Sequence, residues 1–317
     1  MHDFIQYTVL GLTRGSMYAL IALGYTLVYG VLQLINFAHS EVFMSGAFGS
    51  YMLVHWVVGD GSSTHGLMVP VVLIIGLLGG ALSGAAVAWL LERVAYRPLR
   101  KRGAPKLAFL ISAIGASFFL SNLAGKLFNR QQNNSFPDFF NANAVMFRIG
   151  TVQVTLIQVI VVGAALVIML ALDRLVAKTK LGRGIRGVAE DAPTAALMGI
   201  DIDKTISRTF VIGGLLGGAA GFLFGLSYNF SYVMGFLPGT KAFAAAVLGG
   251  IGNVRGAMIG GVLLGLAETL LPWASTVIPG APNIGQQWTD VVAFVVLVLV
   301  LMFRPTGILG ERLGRAA

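Results

Sequence analysis

Long apolar runs alternate with short polar stretches along the whole chain. A helix needs about 20 apolar residues to cross the hydrocarbon core of a bilayer. The pattern predicts spans near residues 16–34, 38–58, 67–91, 107–127, 152–172, 209–228, 233–252, 256–272 and 289–303. Residues 4–12 are expected to form a short interfacial helix before the first span.

Two of these spans, 38–58 and 233–252, are interrupted by polar or helix-breaking residues. Each is therefore predicted to be either a complete span or a broken, re-entrant helix. The fold class that follows is an all-α polytopic transmembrane bundle of about eight to ten spans. We expect one membrane domain over 1–317, with a cytoplasmic loop at 173–208.

The composition favours packed membrane helices over a soluble domain or a barrel. Of the 317 residues, 56% are hydrophobic and 11% are charged, whereas soluble domains carry about 25% charged residues. The 42 glycines are typical of membrane helices whose backbones approach closely. The apolar runs are also continuous and about twice as long as the ten-residue alternating strands of a membrane barrel.

Glycines recur at helical spacing, with Gly213, Gly217, Gly221 and Gly225 forming the longest series. Such faces usually mark close helix packing. An alternative interpretation is that these smooth faces slide past each other during a transport cycle, and the sequence alone does not separate the two.

The net charge of +9 is carried by short segments between the apolar spans, so we interpret it as a topology signal and not as a nucleic-acid site. Lys and Arg collect at 93–106, 174–208 and 304–315. These segments and the C-terminus are predicted to be cytoplasmic. Segments 59–66, 128–150 and 273–288 are then expected on the outer face.

Several chemistries are excluded by missing motifs. The chain has no G-x-x-x-x-G-K-[ST] phosphate loop, no H-E-x-x-H zinc motif, and no cysteine. We therefore predict no catalytic residue, no metal site and no bound cofactor in this chain. The start also lacks the features of a cleaved signal peptide, so we expect the N-terminus to be retained.

Polar residues interrupt the apolar sequence at Asn36, Phe37, His39 and Glu41. If this segment unwinds inside the membrane, its backbone must line a cavity or be buried in protein. We expect these residues to border a translocation path or its gate. The alternative is that His39 and Glu41 cap a helix at the cytoplasmic interface.

A second interruption contains Pro238, Gly239 and Thr240, followed by Lys241. Pro238 and Gly239 are expected to break a helix and Thr240 to cap the next one. A helix N-terminus aimed at the membrane interior presents free N–H groups to an anionic ligand, so we also assign these residues to the path. The alternative is an outer-face turn with an interfacial Lys. Glu268 is expected to be structural.

The run from Gly15 to Gly30, closing with Asn36-Phe37-Ala38-His39-Ser40-Glu41, resembles the N-terminal signature of branched-chain amino-acid ABC permeases of the LivH kind. Ser40 stands where that family usually has Gly. The segment Leu248–Asn253 with Gly256, Ala257, Gly260 and Gly261 resembles the C-terminal block of the family, and Gly182–Ile200 resembles its coupling loop.

This resemblance implies one subunit of an inner-membrane importer, multi-pass in the lipid bilayer. The partners it implies are a second related permease, two ATPase subunits that bind ATP and Mg, and an extracytoplasmic substrate-binding protein. Branched-chain amino acids are the implied substrates, and urea or short amides are the alternative within the family. An ion-coupled secondary transporter and a membrane-embedded enzyme or structural subunit are the rival classes.

Within the implied coupling loop, residues 191–199 have the signals of a short helix. Asp191 suits an N-cap, Pro193 suits a first turn, and Gly199 suits a left-handed end. We predict a coupling helix that contacts the ATPase and exposes an apolar surface formed by Ala195, Ala196, Leu197 and Met198. The alternative is a basic surface loop that only fixes orientation.

Overall fold

The computed structural model describes residues 2–59, 68–130, 134–136, 145–149, 152–277 and 288–310. These residues are almost entirely helical. The helices are α1 (His2–Leu32), α2 (His39–Val58), α3 (Met68–Leu91), α4 (Arg97–Lys101), α5 (Lys106–Leu127), α6 (Leu156–Lys178), α7 (Lys180–Glu190), α8 (Ala192–Leu197), α9 (Ile202–Ser227), α10 (Phe236–Gly249), α11 (Val254–Val277) and α12 (Thr289–Phe303). A π-helical segment, Glu92–Tyr96, joins α3 to α4, and β1 (Val145–Ile149) pairs antiparallel with β2 (Val152–Thr155).

Six helices in the described part of the chain are long and apolar enough to cross a membrane. They are α1, α3 with its continuation to Lys101, α5, α6, α9 and α11. The predicted all-α polytopic membrane fold is thereby confirmed. Of the two doubtful spans, α2 is one unbroken helix, while α10 has 14 residues and is about 21 Å long at 1.5 Å per residue. Thus α10 is too short to cross a bilayer core of about 30 Å.

The predicted separate helix at 4–12 is wrong, because α1 runs without a break from His2 to Leu32. No proline interrupts this stretch. Gly11 also lies against α11, where a Cβ atom on Gly11 would collide with the Thr269 side chain. From Gly11 onward α1 is therefore packed against α11, while Asp3, Phe4 and Gln6 in its first turns are exposed.

Helix α1 is the centre of the bundle. Its residues Leu20, Ile21, Ala22 and Leu23 are completely buried, and α6, α9, α10 and α11 all pack against it. A helix that is hydrophobic all round is expected in such a position. Helices α5 and α6 are mostly exposed, so their apolar faces are available to lipid or to another subunit.

The glycine series lie at helix contacts. Gly218 of α9 faces Gly80 and Gly84 of α3 on one side and Gly46 of α2 on the other. A Cβ atom on Gly218 would lie under 3.0 Å from the Gly80 carbonyl, closer than side-chain atoms approach backbone. These helices therefore touch through their backbones, the arrangement that small residues permit in membranes.

We predict that Gly218→Ala destabilises the protein, because the added methyl group must push α3 and α9 apart. Overpacking of this kind costs about 1–3 kcal/mol, and a lower midpoint of thermal aggregation in detergent measures it. Gly163→Ala in α6 is the matched control, since apart from the nearby backbone of α6 itself no atom lies within 4 Å of its Cβ position. An equal response of the two variants would contradict close packing at Gly218.

Candidate functional site

The linker between α1 and α2 is fixed by the side chain of Asn36. Gln33 ends α1 in a left-handed conformation, with φ of 52°. Asn36 is 2% exposed, and its Oδ1 accepts hydrogen bonds from the Ala38 N–H at 3.1 Å and the Tyr96 hydroxyl at 2.9 Å. The amide therefore ties a non-helical stretch of backbone to the π-helical segment that follows α3.

His39 and Glu41 lie inside the bundle at the start of α2. Both are buried, and neither of their side chains makes a capping hydrogen bond at this end of α2. The interfacial capping alternative therefore does not describe them. His39 contacts Tyr25 edge to face, with ring centroids 4.8 Å apart, in a space left open by Gly24 of α1 and Gly217 of α9.

The carboxylate of Glu41 connects three elements. Its Oε1 accepts a hydrogen bond from Ser117 of α5 at 3.1 Å. Its Oε2 lies beside Gly235, just before α10, and has no hydrogen-bond partner among the residues that the structure describes. Glu41 is thus a buried acid with one satisfied oxygen.

Two predictions about Pro238, Gly239 and Thr240 are wrong. They do not break a helix, because α10 begins at Phe236 and Pro238 lies in its first turn, where a missing N–H removes no helical hydrogen bond. Gly239 donates its N–H to Gly235 at 2.9 Å within that turn. Thr240 caps no following helix, since its hydroxyl donates to the Leu237 carbonyl at 2.9 Å.

The structure brings the two interruptions together. Gly239 packs against Ser40, and a Cβ atom on Gly235 would lie 2.7 Å from the Ser40 carbonyl oxygen. Phe37 meets Phe243 of α10, with ring centroids 6.1 Å apart. The starts of α2 and α10 are therefore in direct contact. This contact could not be predicted from the sequence, because the two starts are about 200 residues apart along the chain.

A cavity of about 520 Å³ opens where α9 ends and α10 and α12 begin, a size within the usual range for ligand pockets. Pro238 is on its wall. Four charged side chains also line it, two basic and two acidic: Arg14, Lys241, Glu268 and Asp290. Its size and its charged lining make this cavity a candidate ligand site.

Sequence reasoning missed Arg14 and Asp290 and assigned Glu268 a structural role only. The signal for Arg14 was available, because it is a single charge that precedes an uninterrupted apolar run, and charges at membrane depth usually have a partner. The partner was not predictable, since Glu268 is 254 positions away.

The short helix predicted within 191–199 is present as α8, Ala192–Leu197. Asp191 occupies the N-cap position, Pro193 lies in the first turn, and Gly199 is left-handed with φ of 82°. One detail differs, because the Asp191 carboxylate accepts a hydrogen bond from the Thr194 hydroxyl and none from a backbone N–H.

The exposed surface of α8 is smaller than predicted. Ala195 was expected to be exposed but is buried against Ile185, Val188 and Ile206, because the helix lies with this side on α7 and α9. Ala196 is exposed, and Leu197 and Met198 are 88% and 79% exposed. Apolar side chains presented so fully on a short helix are typical of a partner contact.

Ionic contacts hold this region to the membrane helices. Asp203 of α9 contacts Arg97 at 3.3 Å and Arg100 at 2.6 Å, both from α4. Asp201 caps α9 by accepting the Lys204 N–H at 3.0 Å, and this backbone hydrogen bond lowers the pKa of the Asp201 carboxyl below its ordinary value. The loop that carries α8 is therefore anchored at the first residues of α9.

No group of three or more His, Asp or Glu side chains that could hold a metal ion occurs among the described residues. The four charged side chains of the cavity pair with one another, and Asp203 near α8 forms ion pairs with Arg97 and Arg100. These arrangements suit binding and docking.

Comparison with known proteins gives a family match over most of the chain. The model of the family described as "Branched-chain amino acid transport system / permease component" matches residues 7–301. The permease LivH of the high-affinity branched-chain amino acid transport system of Escherichia coli K12 is 41% identical over 97% of this chain and 96% of its own. BraD of Pseudomonas aeruginosa is 41% identical over 98% and 97%. A probable LivH of Methanocaldococcus jannaschii is 27% identical over 93% and 89%.

We predict that Asn36→Leu lowers stability more than Tyr96→Phe does. The first substitution leaves two buried donors without an acceptor, at about 1–3 kcal/mol each, whereas the second removes a single hydroxyl from the same cluster. Thermal midpoints of the two single variants and the double variant provide the test. In the double variant the two losses are expected to be less than additive, because the residues share one hydrogen bond. Full additivity would show that the Asn36–Tyr96 bond contributes nothing.

Proposed function

The chain belongs to the family of branched-chain amino acid transport system permease components and is a permease subunit of an amino acid importer, and we propose that it carries branched-chain amino acids in particular. The observation that carries this proposal is identity of 41% to LivH and BraD along nearly the whole of both chains. The names of these relatives specify branched-chain amino acids, and urea or amides are the competing substrates.

The importer that we propose has four kinds of component. This chain pairs with a second permease in the membrane, two ATPases bind ATP and Mg on the cytoplasmic side, and a binding protein delivers substrate from outside. The exposed Ala196, Leu197 and Met198 of α8 support the ATPase contact, because an unpaired apolar surface in a charged loop is stabilised by burial against a partner. The path residues Asn36, Phe37, His39, Glu41, Pro238, Gly239 and Thr240 are proposed to border the route or its gate.

An ion-coupled secondary transporter is disfavoured by the charge pairing. Such a transporter needs acidic groups in the membrane that can take up and release a cation. Glu268 contacts Lys241 at 2.9 Å and Arg14 at 3.5 Å, so its charge is already balanced. Among the described acids deep in the bundle, Glu41 alone has no basic partner.

We propose a bacterial inner-membrane location with the C-terminus in the cytoplasm. The end of α12 returns to the side where α10 ends, because Ile308 donates its N–H to Leu248 at 2.9 Å. Arg255 at the start of α11 binds Asp173 near the end of α6 at 2.9 Å. The basic segment after α6 therefore lies at the same end of the bundle as residues 304–310, and basic residues favour the cytoplasm.

We predict that Ala196→Asp abolishes coupling while the permease still inserts. The new carboxylate enters an apolar contact without a partner, which costs about 1–3 kcal/mol or more. The measurements are ATP-dependent uptake of labelled leucine into vesicles that contain the complete importer, and co-purification of the ATPases. Ala177→Asp is the matched control, because Ala177 is also exposed but lies at the end of α6.

Full leucine uptake by Ala196→Asp, with normal retention of the ATPases, would remove α8 from the coupling role. The same vesicles test the function. We expect these vesicles to take up leucine. Added urea is not expected to compete with this uptake, and a proton uncoupler is not expected to stop it. Uptake that continued without the ATPases would instead favour a secondary transporter.

Topology is tested with single cysteines, since the chain has none of its own. We predict that Arg148→Cys, exposed in β1, reacts with an impermeant maleimide added from outside. Leu197→Cys in α8 is expected to react only when the reagent has access to the cytoplasmic side. Asn134 is a poor reporter for this test because it is buried. The reverse labelling pattern would overturn the proposed orientation.

A further inference from the structure

Four charged side chains form one continuous row along the wall of the cavity. Arg14 lies 3.5 Å from Glu268, Glu268 lies 2.9 Å from Lys241, and Lys241 lies 2.6 Å from Asp290. Basic and acidic groups alternate, so the row is electrically neutral. Removing charges from water costs several kcal/mol per ion unless they are paired, and this pairing makes the row tolerable inside the protein.

The inner and outer members of the row differ in exposure. The side chains of Lys241 and Glu268 are 8% and 4% exposed, whereas those of Arg14 and Asp290 are 30% and 48% exposed. The buried Lys241 pairs with one oxygen of Glu268, and the other oxygen of Glu268 is buried without a hydrogen-bond partner among the described residues. The groups accessible from the cavity are therefore a cation at one end of the row and an anion at the other.

Both accessible groups have unused bonding capacity. The Arg14 guanidinium has five N–H donors, but its contacts in the cavity are long, 3.3 Å to the Tyr228 hydroxyl and 3.5 Å to Glu268. Asp290 contacts Lys241 through one carboxylate oxygen and is half-exposed. The row thus presents free donors at Arg14 and free acceptors at Asp290.

A free α-amino acid presents the complementary groups on one carbon atom, a carboxylate and an ammonium. Arg14 and Lys241 contact the same carboxylate oxygen of Glu268, and Lys241 contacts Asp290 through its single nitrogen. These shared atoms place the Arg14 nitrogen at most about 9 Å from the Asp290 oxygen, a distance that a small zwitterion with a hydrogen bond at each end can span. The remaining wall is largely apolar and includes Leu10, Met17, Phe224, Met234, Leu237 and Pro272. An aliphatic side chain is favoured on such a surface.

We propose that this cavity is a binding site for the amino acid within the permease, with Arg14 receiving the substrate carboxylate and Asp290 its ammonium group. The inference rests on the proposed transport of branched-chain amino acids. It assigns the head group to the ion row and the aliphatic side chain to the apolar wall. Binding of the amino acid leaves the net charge of the site unchanged, because a zwitterion is added to a neutral row.

The test uses a reporter cysteine in the cavity. Leu237→Cys places a thiol at a position that lines the cavity and is half-exposed. Right-side-out vesicles containing the assembled importer, with no binding protein added, are treated with an impermeant maleimide. We expect leucine at millimolar concentration to slow labelling several-fold. The 2-hydroxy acid analogue of leucine, which lacks the ammonium group, is expected to protect less.

Asp290→Asn is then added to the reporter chain and is expected to abolish protection by leucine. Asp3→Asn is its matched control, because Asp3 is exposed at the start of α1 and is not on the cavity wall. Arg14→Gln, with the exposed Arg148→Gln as its control, repeats the test at the other end of the row. ATPase co-purification confirms that each variant is assembled.

Leucine uptake is then measured in the same vesicles supplied with the binding protein. This measurement separates the proposed binding site from the proposed transport function. If the reporter importer takes up leucine but labelling is identical with and without leucine, the cavity is not a substrate site and the row is structural only. Protection that persists in Asp290→Asn would also overturn the assignment of the ammonium group. If the parent importer takes up no branched-chain amino acid, the proposed function itself fails.

Discussion

Close contact between helix backbones is the constraint on which the rest of this structure depends. Lipid tails are as apolar as leucine, so membrane helices gain little from hiding apolar side chains from lipid and associate through van der Waals contact. Gly218 lets α9 touch α2 and α3 together, and Gly261 and Gly265 let α11 lie on α1. With the middle of α1 enclosed by α6, α9, α10 and α11, the described bundle has a closely packed centre.

Several buried polar side chains lie beside the start or the end of a helix. Asn36 satisfies backbone between α1 and α2, and Glu41 and Ser40 lie where α2 and α10 both start. Backbone outside a helix is tolerated at membrane depth only when it is buried in protein or lines a cavity. Both cases occur here, since the α1–α2 linker is buried around Asn36 and the segment before α10 borders the charged cavity.

Local signals in the sequence predicted local structure well. Apolar length placed the main helices, and the spacing of Asp191, Pro193 and Gly199 placed α8. The errors concern helix boundaries, as at the predicted helix over 4–12 and at Pro238, and contacts between distant segments. Pro238 looks like a helix breaker until α10 is seen to start two residues earlier, and Ala195 looks exposed until α8 is placed on α7 and α9. The row from Arg14 to Asp290 was unpredictable because its members come from four helices.

Helix α9 connects the loop that carries α8, the proposed ATPase contact, with the charged cavity, the proposed substrate site. Its first turn is held by Arg97 and Arg100 through Asp203, beside the loop that carries α8. Tyr228, directly after its last turn, accepts a hydrogen bond from Arg14 of the cavity. The 26 residues of α9 extend about 39 Å at 1.5 Å per residue.

Glycine contacts hold the middle of α9 against α2 and α3. If a displacement of α8 is transmitted to the cavity through α9, α2 and α3 therefore have to move with it. The same packing that gives the bundle its stability therefore makes a rigid-body shift of α2, α3 and α9 the simplest motion by which an ATPase at one end could change the cavity at the other.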